Sequence, residues 1–178
     1  MRRSLTALLL LMASPALATS LIPVSFDEMV AGSQAIVHGR VSAVGGEMSG
    51  DRRSISTLVT VDVADDLKGE LGSQVTFRVP GGRVGRYRRI IVGAPVFAEG
   101  DEVVVFLTAR APSIPYLFGL SQGVYRVARD AAGRRVVTQP ILPDGASAER
   151  VVRGEPARRP LPVTEFAARV RAILERGR

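Results

Sequence analysis

The sequence predicts a mainly β domain: an antiparallel, closed or partly open barrel with one short helix before it and another at the C-terminal end. Two observations predict it. Short runs rich in β-branched residues recur between glycine-, proline- and acid-rich turns, a pattern of barrels and sandwiches. One run, Val103-Val104-Val105-Phe106-Leu107, is apolar at every position, so both of its faces must be covered and it belongs in the middle of the sheet.

The elements follow in order. Ser25-Phe26-Asp27-Glu28 has the form of a capping box, with Ser25 at the N-cap and Glu28 at N3. A short helix follows and ends near Gly32-Ser33. Ala35 to Val44 alternates around Ile36, Val37, Val41 and Val44 as a strand, with Gly45-Gly46 as its bulge or its end. Ser49-Gly50-Asp51-Arg52 is a polar turn into a second strand from Ile55 to Val63, so the two form a long hairpin. Leu67-Lys68-Gly69 closes it. Gln74 to Val79 is a third strand, stopped by Pro80-Gly81-Gly82, and Arg83 to Arg89 is an arginine-rich hairpin loop.

Glu99-Gly100-Asp101-Glu102 is a turn into the apolar strand. Tyr116 to Leu120 and Gly123 to Arg129 are further strands, and Asp130-Ala131-Ala132-Gly133 turns back into Arg134 to Thr138. Gly69 and Gly100 suit turn positions of positive φ. Proline recurs through residues 140–162, which predicts a linker or extended arm. Thr164 is placed to cap a final helix over 163–177, with Phe166, Val170, Ile173 and Leu174 on one face.

The first eighteen residues stand apart. Arg2 and Arg3 precede an apolar run from Leu5 to Met12, and Ala16-Leu17-Ala18 supplies small residues at a cleavage site. That order predicts an export signal over 1–18, cut after Ala18, and a periplasmic or secreted product. The run is too short to span a bilayer, which needs roughly 20 residues, and no transmembrane segment is expected after cleavage. The 160 of 178 residues that would remain suffice for one monomeric domain: a barrel over 19–139, the arm, and the last helix packed on the barrel.

Composition excludes some chemistry. Cysteine is absent, so disulfides, thiolate zinc sites and cysteine nucleophiles are ruled out. His38 is the sole histidine, which rules out a metal site of several imidazoles. It sits mid-strand, where a surface or packed strand residue is expected rather than a catalyst. Asp65-Asp66 and Asp101-Glu102 are paired acids flanking glycine at strand ends, where turn chemistry is the expectation. No catalytic residue, metal or cofactor is assigned.

The formal charge is +7, or +5 without Arg2 and Arg3, and Lys68 is the one lysine among 24 basic residues. Arginine reads phosphate and carboxylate well. Its densest cluster is Arg83, Arg86, Tyr87, Arg88 and Arg89, the candidate binding residues. Pro80-Gly81-Gly82-Arg83-Val84-Gly85 follows a strand but opens no helix and has no lysine-serine pair, so it is not a phosphate loop. Aromatic residues for stacking are sparse, so no specific nucleic acid is expected.

A longer pattern spans about residues 25–107. The short helix leads into Ser33-Gln34-Ala35-Ile36-Val37-His38-Gly39-Arg40-Val41. A second strand ends Asp66-Leu67-Lys68-Gly69, Val75-Thr76-Phe77-Arg78-Val79 follows, and Phe97-Ala98-Glu99-Gly100-Asp101-Glu102 precedes the apolar strand. This cadence resembles the netrin-like module shared by tissue inhibitors of metalloproteinases, netrins and complement C-terminal domains. The resemblance implies a five-stranded barrel of the OB type with flanking helices, presenting loops at one end. Here those are Ser49–Arg53 and Arg83–Arg89. The family's disulfides and its inhibitory N-terminal cysteine have no counterpart in this chain, so no inhibitory residue carries over.

The expectation is therefore a non-enzymatic exported binding module whose partner is a protein, with an extracellular protease among the candidates. The alternatives are an arginine-mediated binder of an envelope polyanion and a hydrolase using an acid pair.

Overall fold

The computed structural model describes residues 24–108, 114–138 and 160–177. The expected signal over 1–18 and most of the proline-rich arm lie outside the described residues. Among the described residues, no helix is long and apolar enough to cross a membrane.

Helix α1 (Phe26–Gly32) begins with the expected capping box. Ser25 Oγ accepts from the Glu28 amide, and a Glu28 carboxylate oxygen accepts from the Ser25 amide at 3.0 Å. Both satisfy amides that a helix start leaves without partners. Its other end is held by Lys68, whose ammonium donates to the Val30 and Ala31 carbonyls at 2.8 and 3.0 Å. A cation at a helix C-terminus also suits the helix dipole. Burial lowers the Lys68 pKa. Replacing Ser25 by alanine is expected to lower stability by about 1 kcal/mol, read as a lower urea midpoint. An unchanged midpoint would show that the cap contributes nothing.

The strands are β1 (Ala35–Met48), β2 (Ile55–Lys68), β3 (Gln74–Pro80), β4 (Gly82–Val84), β5 (Tyr87–Arg89), β6 (Glu102–Thr108), β7 (Tyr116–Leu117), β8 (Val124–Arg129), β9 (Arg135–Thr138) and β10 (Leu161–Pro162). A 3-10 turn covers Leu120–Gly123, and helix α2 is Val163–Arg176. β1 pairs antiparallel with β2, and β2 with β3. β3 meets β7 in parallel at Arg78 and Tyr116, β7 pairs with β6, and β6 returns to β1 over Ala35–Arg40. The hydrogen-bonded ladder β1-β2-β3-β7-β6 thus closes on itself. β6 also carries β8, which leads to β9 and β10.

Alternation along the strands feeds two cores. Val37 and Val41 of β1, Val59 and Val61 of β2, Phe77 and Val79 of β3, Val103, Val105 and Leu107 of β6, and Leu117 of β7 fill the first. Ile36, Val104 and Phe106, one residue out of phase, join Tyr125, Val137 and both helices in the second. All five residues from Val103 to Leu107 are fully buried, as a strand lying between the two cores requires. Phe26, Phe106, Tyr125 and Phe166 pack as an aromatic group with ring centres 5.1–6.5 Å apart. Gly69 and Gly100 have the expected positive φ, +78° and +89°, and Gly133 in the Asp130–Gly133 turn has +77°.

Several boundaries differ from the sequence reading. β1 runs through Gly45-Gly46 to Met48 with no register shift there; its irregularities fall earlier, between Ile36 and Ala43. β2 continues to Lys68, because Asp65, Asp66 and Lys68 keep pairing with β1 while Leu67 packs into the second core and Asp65 reaches α2. Asp65-Asp66 therefore lies within a strand and not at its end. The strand expected over Tyr116–Leu120 shrinks to two residues, since Gly119 takes the left-handed conformation and starts the 3-10 turn. Pro162, not Thr164, is the N-cap of α2. Leu161–Pro162 pairs with β9, which sets the helix entry earlier, and proline suits a helix start because its missing amide is not needed there.

Candidate functional site

The arginine-rich segment folds as a two-stranded ribbon, not as the hairpin loop expected: β4 and β5 pair Gly82 with Arg89, Arg83 with Arg88 and Val84 with Tyr87. Two glycines let it lie against the sheet. Gly82 has φ +134°, and a Cβ there would stand 2.3 Å from the Thr57 hydroxyl. A Cβ on Gly46 would stand 2.0 Å from the Arg83 carbonyl oxygen. The backbone of β4 thus crosses β1 where only hydrogen fits. The ribbon is pinned by the Gly81 amide donating to the Ile55 carbonyl at 2.9 Å and by Thr57 Oγ1 donating to the Gly81 carbonyl at 2.9 Å.

This places the ribbon beside the β1–β2 turn, the two segments expected to share one end of the fold. Arg89 donates to the Arg53 carbonyl at 2.7 Å. Between them lies a cleft of about 580 Å³ lined by Arg52, Arg53, Tyr87, Arg88 and Arg89, with Met48 and Ile55 as its apolar wall. Of the five candidate residues, Tyr87, Arg88 and Arg89 line this cleft. Arg83 instead borders a second depression of about 270 Å³, with Arg88, Arg89, Ile90 and Val96. Arg86 donates to the Tyr87 hydroxyl at 3.0 Å, with its guanidinium 5.1 Å from the ring centre.

The electrostatics are one-sided. Among the described residues, none of Arg52, Arg53, Arg83, Arg86, Arg88 and Arg89 forms an ion pair with a carboxylate. Asp51 is the one acid in the β1–β2 turn. Hydrogen bonds from the Ser49 hydroxyl, the larger influence, and from the Arg53 amide lower its pKa. It serves the turn and leaves the guanidinium groups open to an external anion.

The paired acids are engaged separately. Asp101 accepts from Arg126 at 2.7 Å and from the Ala98 amide at 3.0 Å, as turn chemistry requires. Glu102 faces the second core, where His38 Nε2 lies 2.9 Å from one carboxylate oxygen and Arg135 donates to the same oxygen at 3.1 Å. Arg40 is 3.9 Å from the other oxygen. Burial, the largest single influence on Glu102, raises its pKa. The His38 hydrogen bond and the charges of His38 and Arg135 outweigh it, so the net shift is downward. Asp65 reaches Arg171 of α2 at 3.4 Å.

His38 is thus a buried strand residue, as expected, but its carboxylate partner is not a feature of the sequence reading. Glu102 is 64 positions away, and the β1–β6 register, with Arg40 opposite Glu102, brings the two together. Among the described residues, no hydroxyl hydrogen-bonds His38, and no group of three or more acids and histidines could hold a metal ion. The pair can brace β1, β6 and β9 through one carboxylate; a nucleophilic relay would need a third member. Compared with protein-family models, with curated proteins and with solved structures, the chain finds no match.

Proposed function

We propose that this chain is an exported, monomeric, non-enzymatic binding module built on an OB-type, netrin-like barrel, and that it holds an anionic ligand on the arginine ribbon and the neighbouring turn. The closed ladder of five strands supports the barrel reading. The observation that carries the function is the gathering of six arginines at one end of the fold with no carboxylate partner among the described residues. Guanidinium forks match carboxylate, sulfate and phosphate oxygens in pairs. Of the two partner classes the sequence suggests, a protein and an envelope polyanion, this arrangement favours the polyanion. The engagement of Asp101 by Arg126 and of Glu102 by His38 and Arg135 speaks against an acid-pair hydrolase.

Retention on immobilised heparin tests the proposal. The wild-type chain is expected to bind, with log affinity falling linearly in log salt. Arg88→Ala with Arg89→Ala should elute at lower salt with a shallower slope. Elution unchanged by the double substitution would overturn the assignment. So would salt-insensitive capture of a protein partner.

A further inference from the structure

We propose that the same end of the molecule docks on the surface of an anionic lipid bilayer, the arginines meeting headgroup phosphates while aliphatic side chains enter the interface. This rests on the reading of the arginines given above and names the class of anion. The added observation is apolar. Ile90 is 71% exposed, Val92 65% and Val96 81%. Single exposed aliphatic residues are ordinary on a protein surface, but clusters mark interaction sites. These three fall within seven residues that continue directly from β5. Ile90 and Val96 share one depression with Arg83, Arg88 and Arg89.

The backbone holds Val96 outward. Its neighbour Phe97 is buried in the first core with its ring centre 5.5 Å from that of Phe77. Arg126 donates to the Val96 carbonyl and is itself paired with Asp101. With Phe97 anchored inward and its own carbonyl clamped, Val96 faces solvent on a fixed support. Tyr87, half exposed and beside Arg88, is a residue type that favours the water–lipid boundary. A soluble polysaccharide would use the guanidinium groups and leave the aliphatic side chains idle. A bilayer of acidic phospholipid uses both, since interfacial binding adds apolar burial to electrostatic attraction.

The test uses the full chain with vesicles of phosphatidylcholine containing phosphatidylglycerol, with phosphatidylcholine vesicles alone, and with the heparin column. The wild type should co-float with the anionic vesicles and not with the neutral ones. Ile90→Asn with Val96→Asn should reduce vesicle partitioning about tenfold and leave heparin retention unchanged. Arg88→Ala with Arg89→Ala should weaken both, at roughly fivefold per arginine on vesicles. All four positions are exposed, and a thermal melt will check that each variant folds. Heparin retention without vesicle binding would overturn the membrane inference and leave the anion-binding proposal standing; loss of both in the wild type would overturn both. Vesicle binding insensitive to the asparagine pair would mean charge adsorption alone and would also overturn the inference.

Discussion

Phe106→Ala is expected to lower the unfolding free energy by about 3–5 kcal/mol, the range for deleting a fully buried phenylalanine. The side chain has no solvent exposure and contacts the aromatic rings of α1, β8 and α2 at once, with centres 6.0, 5.4 and 6.5 Å away. No neighbour can collapse into the gap without dragging a helix off the sheet. Folded domains have about 5–15 kcal/mol in total, so this one change removes a large share. Urea unfolding should show a lower midpoint with little change in slope. A loss below about 1 kcal/mol would mean that the two helices do not rest on β6 as described.

Glu102→Gln is expected to cost about 1–3 kcal/mol at pH 7, because His38 and Arg135 would then share a neutral partner in a mostly buried place. The pH dependence has a definite sign. The folded pKa of Glu102 lies below its ordinary 4.5. Its contribution is therefore fully present above the unfolded value and is lost as pH falls through the folded one. The groups around it are His38 and Arg40 on β1 and Arg135 on β9. Urea unfolding of wild type and E102Q at pH 7 and pH 3.5 should show a gap that narrows in acid. An equal gap at both pH values would refute a charge-based role.

Much of the fold is legible because local chemistry and global position agree. Ser25 and Glu28 satisfy the same backbone amides in a peptide as in the domain. A run such as Val103–Leu107 has one physically reasonable location. The Asp130–Gly133 turn carries its own geometry in Gly133. What escapes the sequence is set by distant partners. Gly45-Gly46 has the look of a strand end, yet Gly46 is glycine because the Arg83 carbonyl passes over it. The ribbon at 82–89 has only three-residue strands and takes its shape from contact with β1 and β2. His38 and Glu102 meet through a strand register that no spacing within either segment reveals. The arginine cluster was legible as composition, whereas the outward Ile90, Val92 and Val96 resemble any short core run. Only the burial of Phe97 shows that its neighbour points away.

The arrangement of the second core has a consequence for synthesis. Whether it leaves a ribosome or a translocation channel, the chain emerges N-terminal end first, and the earlier segments can fold before the later ones arrive. The strands of the closed ladder, and α1 with Phe26 laid on Phe106, are complete by Leu117, but α2, which adds Phe166 to the outer side of β6, begins only at Val163. Until α2 emerges, Phe106 and Tyr125 lack their Phe166 cover. A message cut short before that point would yield an adhesive product whose oily flank is covered by α1 alone. Helix α2 is thus the element that covers an otherwise sticky flank of the nascent chain.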